Sequence, residues 1–394
     1  MVNFTRGNPP VENLDAVRLP DVTVDPISPI SRIDCRNYPG PPTGLPELRE
    51  LLALQLLGAP ADWTFVGNHS SLGLYSDVLT LALYRGLPGQ KPWIDMQRLG
   101  WHAPKILIPE PAYDRHMRRL RWLGFVLVPV PMNDNGPNMD VVEDLVRDPA
   151  VVGIVCVPKH SNPGGETYAD DVVRRLAYMQ TGNNGFLILW DLAYAAHGLA
   201  DACSDTLANI FDLCREAHTE DRVFAFGSTS KITYAASGIA CMAASPRNIE
   251  WYLADLATRE INPDKMRQLS HYRFLSEVGI ADLMRRHAQV LLPRAQAVYD
   301  VVQKRLVPKG LGSCTTPRGG YFLCVQTPGL AKRAVEIAAA LGFTFTPVGS
   351  AFVSGIDPRN ALVRVCFTEH PPETNALGTE VLCLGAEIAA WEQA

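Results

Sequence analysis

In FAFGSTSKITYAASGIA an apolar run ends at Gly227, and Ser228, Thr229 and Ser230 lead directly into Lys231. A lysine held at a strand end among small hydroxyl residues can have a depressed pKa and attack carbonyls, although the same string also suits a solvated surface lysine. Upstream, ILWDLAY puts Asp191 at the end of another apolar run, with Tyr194 three residues on. A carboxylate buried there needs a cationic partner, which a ligand can supply, unless the aspartate only caps a helix. PKHSNPGG, residues 158 to 165, follows a third apolar run and offers Asn162 to the crevice where α/β sheets bind ligands, S-N-P-G being otherwise an ordinary turn. In GNHSSLGLYSDVLTLAL a helix begins at Ser70 and Ser71, so amides and hydroxyls together make either an anion site or a plain serine N-cap. Tyr113 adds a ring able to stack on a flat ligand. There is no G-x-G-x-x-G and no G-x-x-x-x-G-K-[ST], which removes the dinucleotide fingerprint and the P-loop.

These residues need strand ends to hold them, and the pattern supplies them. PELRELLALQLLG, 46 to 58, reads as a helix, with proline at its start, glycine at its stop and leucines at helical spacing. Short apolar runs at Thr64 to Val66, Lys105 to Ile108, Phe125 to Val130, Val151 to Val157, Phe186 to Trp190 and Val223 to Phe226 read as strands. Amphipathic segments fall between most of them, which predicts an α/β lobe around a largely parallel sheet buried on both faces. Beyond about 245 a long helical stretch, 246 to 306, precedes GGYFLCVQT, a helix near 330 to 341, FTFTPV and ALVRVCF, which reads as a smaller α+β lobe. The first 40 residues carry prolines at 9, 10, 20, 26 and 29 and no period, so they are expected to run extended, as an arm able to fold back on the second lobe.

Composition agrees with a globular chain: 394 residues, 47% hydrophobic and 20% charged, long enough for two lobes with a cleft between them. The net charge of −5, with no basic block, gives no pull toward nucleic acid or anionic lipid. Nine cysteines without C-x-x-C or ligand-like clustering suggest neither a zinc site nor a disulfide framework, and they are expected to be reduced and buried. No secretory h-region and no apolar run near the about 20 residues a bilayer requires are present, so a cytoplasmic location is expected, without a membrane partner.

The ordered set of Ser70 and Ser71, Tyr113, Asn162, Asp191 with Tyr194, then Ser228, Ser230 and Lys231 resembles the fold-type I pyridoxal-phosphate enzymes. The likeness is strongest to the aspartate-aminotransferase-like branch, with its G-N-S-S-L, P-x-Y-D-R-H, S-N-P-T-G, D-N-A-Y and S-T-S-K-I-T. It runs from TRGNPP and RNYPGPPTGLPELREL through EPAYDRHM and KMRQLSHYRF to PRGGYF and LVRVCF. The resemblance implies pyridoxal 5′-phosphate as cofactor, with a Schiff base from Lys231 and Asp191 on the pyridine nitrogen. It further implies Tyr194 and Asn162 on the ring oxygen, Tyr113 stacked on the ring, and Ser70, Ser71, Ser228 and Ser230 at the phosphate. Tyr38 matches a tyrosine that reaches the neighbouring subunit's phosphate, which implies a homodimer with shared active sites. Arg364 in LVRVCF matches the arginine that clamps the substrate α-carboxylate, bidentate geometry suiting that task.

The division then expected is an arm over 1–45, a large cofactor-binding domain over 46–265 and a small domain over 266–394. The expected reaction is transamination of an α-amino acid, with β- or γ-elimination, replacement or carbon–carbon bond formation on an amino acid as the alternative. The chain opens on the family's arm, so a fused DNA-binding module is not expected. Several positions depart from the pattern: Leu192 for asparagine, Gly164-Gly165 for threonine-glycine, His160 and His69 for tyrosine and serine, and Val-Cys-Phe-Thr-Glu-His-Pro-Pro at 365 to 372 where the segment after the arginine loses its likeness. Ile239 stands where many members carry a phosphate-binding arginine.

Overall fold

The computed structural model describes residues 1–67, 70–95, 103–199 and 205–394. His69 and Cys203 therefore lie outside the described residues. The arm starts as β1 (Val2–Asn3). The large sheet contains β2 (Thr64–Val66), β3 (Lys105–Glu110), β4 (Val126–Asn133), β5 (Gly136–Pro137), β6 (Val151–Cys156), β7 (Leu187–Asp191), β8 (Val223–Ser228) and β9 (Ala240–Ala244), in the order β2-β9-β8-β7-β6-β3-β4-β5. From β8 to β4 the strands run parallel, while β9 is antiparallel to both of its neighbours and β5 to β4. Because β9 reverses between them, β2 points the same way as β8. The C-terminal ends of β2, β3, β6, β7 and β8 consequently share one sheet edge. Sequence reading found the parallel strands but missed β9: ACMAA is poor in β-branched residues, and pairing on both sides makes it a strand regardless. Both sheet faces are covered, and every residue of β6 and β7 is buried.

The smaller lobe pairs β10 (Ser313–Cys314), β11 (Phe322–Gln326) and β13 (Leu362–Cys366) antiparallel, while β12 (Phe343–Thr344) takes β1 as a parallel partner. The arm thus folds back onto this lobe. Phe4 is fully buried and stacks on Phe345 at 5.1 Å, a burial that stabilises by roughly 2 kcal/mol. The stretch 246 to 306, expected as one helix, is three: Pro246–Leu256, Lys265–Val278 and Ile280–Arg305. Pro263 cannot donate to a continuing helix, and the Asp264 carboxylate caps the next one by accepting from Arg267 N–H at 3.0 Å. Gly279, at φ 78°, makes the second break. The helix expected over 46–58 is α-helical over Pro46–Leu52 and widens to a π-turn over Ala53–Leu57, closed by Gly58 at φ 64°. Leu269 to Met284 belong to the large lobe's core and Leu291 onward to the small lobe's, so we propose a lobe boundary inside Ile280–Arg305 rather than at 265/266.

The eight described cysteines are all free, and seven are buried. Among the described residues no helix is long and apolar enough to cross a membrane, and no cluster of His, Cys, Asp and Glu is placed to hold a metal ion.

Lys265, 4% exposed, ties the other end of the arm down. Its ammonium donates to the carbonyl oxygens of Asn37, Tyr38 (2.9 Å) and Pro39 (2.8 Å). Lys265→Met strips three acceptors of their charged donor. It is expected to destabilise the protein by roughly 1–3 kcal/mol and to speed cleavage in the 30–40 segment under limited proteolysis. Unchanged thermal unfolding together with unchanged cleavage would contradict this.

Candidate active site

Asp191 is the last residue of β7 and is 8% exposed. Its Oδ2 lies 3.1 Å from His116 Nε2, and its Oδ1 accepts from Ala193 N–H at 3.0 Å. His116 comes from the helix Asp114–Trp122 and is held between rings, with Tyr75 at 4.9 Å and Tyr113 edge-on at 5.2 Å. Sequence reading gave His116 no role, although it sits one helical turn after Tyr113 in EPAYDRHM. Tyr113 opens that helix and lines a small cavity with His116, Asn162 and Tyr168.

Lys231 ends the 3₁₀ turn Thr229–Lys231 immediately beyond β8, the sheet neighbour of β7. Its ammonium stands 4.7 Å from the centroid of the Tyr194 ring. Burial pulls the lysine pKa down, and the Asp191 carboxylate opposes that pull. Two further residues that sequence reading assigned no role fix its backbone. Tyr321 donates its hydroxyl to Lys231 O at 3.2 Å, and His197 Nε2 lies 3.4 Å from the same oxygen. Burial drives His197 well below its ordinary pKa, so it is a neutral ring whose Nε2–H tautomer makes that bond. Tyr194 itself is 5% exposed, and its phenol is pushed far up, by burial first.

The hydroxyls gather at the ends of β2 and β8. Ser70 is the N-cap of Ser71–Arg85, its Oγ accepting from Gly73 N–H at 3.2 Å, so it caps the helix and also borders the dipole's positive end. The oxygens of Ser228 and Ser230 are 2.8 Å apart. Gln268, fully buried and likewise given no role from sequence, steadies the approach to Ser70 by donating to Val66 O at 3.0 Å and Gly67 O at 3.3 Å. Ile239 is core: its carbonyl accepts from Thr229 N–H, its own N–H donates to Thr229 Oγ1, and it leaves no cation at that position. Leu192 is core as well, which accounts for the lost asparagine. His160, 1% exposed at φ 50°, has both ring nitrogens without a hydrogen-bond partner among the described residues and a pKa lowered to about 4, chiefly by burial.

Arg364 lies in mid-β13, opposite Cys324 of β11, and is 9% exposed. It donates to Asn162 Oδ1 at 3.3 Å, Thr346 Oγ1 at 3.3 Å and Thr5 O at 3.4 Å, and its guanidinium covers the Phe322 ring at 4.7 Å. No carboxylate among the described residues pairs with it. A buried guanidinium with only neutral partners is a site built for an anion from outside. Of the residues singled out from sequence, Tyr38 alone stands apart: its side chain is 67% exposed on the arm, and among the described residues it contacts none of the others. The donor set fits pyridoxal phosphate: a buried carboxylate–histidine pair, a lysine of depressed pKa just beyond the adjoining strand, hydroxyls at a helix start, and a buried arginine that no carboxylate among the described residues pairs.

Comparison with known proteins agrees. The "Aspartate amino-transferase" family model matches residues 1–393. An aspartate aminotransferase of Corynebacterium glutamicum is 35% identical, over 99% of this chain and 90% of its own. The crystal structure of an aspartate transaminase from that organism superposes with a TM-score of 0.92 at 34% identity, covering 100% of this chain and 92% of that one. The α-aminoadipate aminotransferase of Thermus thermophilus, complexed with N-(5′-phosphopyridoxyl)-L-leucine, shares the fold at a TM-score of 0.78 and 22% identity, over 99% and 93% of the two chains. The chain belongs to the aspartate aminotransferase family and is a fold-type I, pyridoxal-phosphate-dependent aminotransferase.

Proposed function

We propose that Lys231, Asp191 and Tyr194 carry transamination of an α-amino acid here, on pyridoxal 5′-phosphate held by residues of this site. The observation that carries the reading is the convergence of Lys231 and the Asp191–His116 pair on the ends of adjoining parallel strands. When bound, the cofactor supplies a ring that accepts electrons from the substrate's α-carbon. Asp191 would pair with the ring nitrogen and hold it protonated. Tyr194 and Asn162 would hydrogen-bond the ring oxygen, Tyr113 would cover the ring face, and Ser70, Ser71, Ser228 and Ser230 would hold the phosphate. Lys231, its pKa lowered by burial, offers an uncharged amine nearer neutral pH and takes the α-proton. The exposed Tyr38 suits a homodimer in which each arm completes the other subunit's phosphate site, and we place the enzyme in the cytoplasm.

Aspartate is the first donor to test, given the name of the Corynebacterium glutamicum relative. Adding amino acids singly to purified holoenzyme without a keto acid is expected to convert the cofactor to its amine form and so name the donor. Substrate loss with the cofactor left in its aldehyde form would overturn transamination. Arg364→Gln is expected to raise KM for the amino acid about 10- to 100-fold with a smaller effect on kcat, because a charged bidentate contact to the bound carboxylate is lost. An unchanged KM in steady-state assays would place the carboxylate elsewhere.

A further inference from the structure

The turn that presents Asn162 is closed by Ser161 N–H to Glu166 O (2.9 Å) and Gly165 N–H to Ser161 O (2.7 Å), with Tyr168 N–H to Pro158 O at 2.8 Å behind it. Glu166 folds its carboxyl back against this turn, where the Ser161 side chain bonds it. The fit is close enough that any β-carbon on Gly164 overlaps both carboxyl oxygens of Glu166. Gly164 does not have a positive φ, so its backbone accepts an L side chain, and the Glu166 carboxyl is the group that must move aside to admit one. From the other side the small lobe grips the same turn. Cys324 Sγ donates to Pro163 O at 3.3 Å, and Arg364, across the strand from Cys324, donates to Asn162 Oδ1.

We propose that Glu166 is a positioning residue for the substrate-carboxylate clamp: its carboxyl fills the space above Gly164 and fixes the turn at the angle that brings Asn162 to Arg364. This also explains the glycine at 164, since the glutamate occupies the volume a side chain there takes up, while Gly165, at φ 86°, meets the backbone's own demand. The inference rests on the reading of Arg364 given above. The groups facing Glu166 are Asp134, Ser161, Tyr168 and Cys324, and its groove is also lined by Cys314, Asp170, and Asp205 paired with Arg318. Burial lifts its pKa to about 7, with its own backbone N–H and Ser161 lowering it and Asp134 raising it. As pH climbs through that value the turn gains a negative charge beside the site for a substrate anion, and KM rises.

The test is a double-mutant cycle on the holoenzyme with aspartate and glutamate as donors, read as KM, kcat and their pH profiles. Gly164→Ala alone is expected to raise KM about tenfold with kcat within about threefold. Gly164→Ala combined with Glu166→Ala is expected to bind better than Gly164→Ala alone, because the overlap has gone. Glu166→Gln keeps the shape, so it should hold KM at neutral pH near the wild-type value while flattening its rise near pH 7. Multiplicative effects of the two alanine changes, or a Glu166→Gln enzyme that retains the wild-type pH dependence, overturn the proposal. Arg364→Gln separates the two readings. If it leaves KM unchanged the clamp itself falls, whereas an intact clamp without coupling between 164 and 166 removes only the role of Glu166.

Discussion

Lys231→Ala is expected to lower kcat by about a thousandfold or more and to leave the fold standing. The side chain follows β8 beside the Asp191 end of β7, and its pKa is already lowered by burial, so the variant loses the base that we propose this site offers. Stability should change little, because the contacts that fix this turn are made by the backbone of residue 231, whose carbonyl accepts from Tyr321. Thermal unfolding of the variant should therefore stay near the wild-type midpoint while single-turnover assays show the proton transfer stalled. A small primary amine added to the assay is expected to restore part of the rate, since it re-supplies the lost base without changing the cavity walls. Normal turnover in the variant would remove Lys231 from the mechanism.

The residues we propose to carry chemistry stand out in the sequence because each ends an apolar run: Asp191 closes ILWD, and Lys231 follows FAFGSTS at the edge where parallel strands expose their C-terminal ends. Their partners do not. His116 lies far from Asp191 in sequence, and only the packing of Asp114–Trp122 against the sheet brings the two within hydrogen-bonding range. His197, Tyr321 and Gln268 serve through single contacts to backbone oxygens, for which a side-chain pattern carries no signal. The same limit explains β9, whose alanines become a strand through pairing, and the position of the lobe boundary, which depends on which core Leu269 to Met284 join. Gly164 is the instructive intermediate case. Its departure from the family spelling was visible at once, yet the reason is the carboxyl of Glu166 two residues on, which only the folded turn places over it.

Asp191→Ala is expected to cost about 10²- to 10⁴-fold in kcat, because we propose that this buried carboxylate keeps the cofactor's ring nitrogen protonated, and its burial makes the charge effective. Asp191→Asn should cost nearly as much. It preserves shape and can still accept from Ala193 N–H, but it carries no charge. His116→Phe should cost far less, about tenfold, since His116 reaches the reaction only through Asp191 while its ring remains packed between Tyr75 and Tyr113. The informative variant is therefore the double one. If His116 acts by holding the Asp191 carboxylate, adding His116→Phe to Asp191→Ala lowers kcat no further, and the two changes are strongly non-additive. A double variant that loses the product of the two single effects would give His116 a separate contact with the substrate or cofactor. The absorption maximum of the bound cofactor offers a second reading of the same cycle, because it reports the ring protonation that we propose Asp191 maintains. It should shift in both Asp191 variants and stay near the wild-type position in His116→Phe.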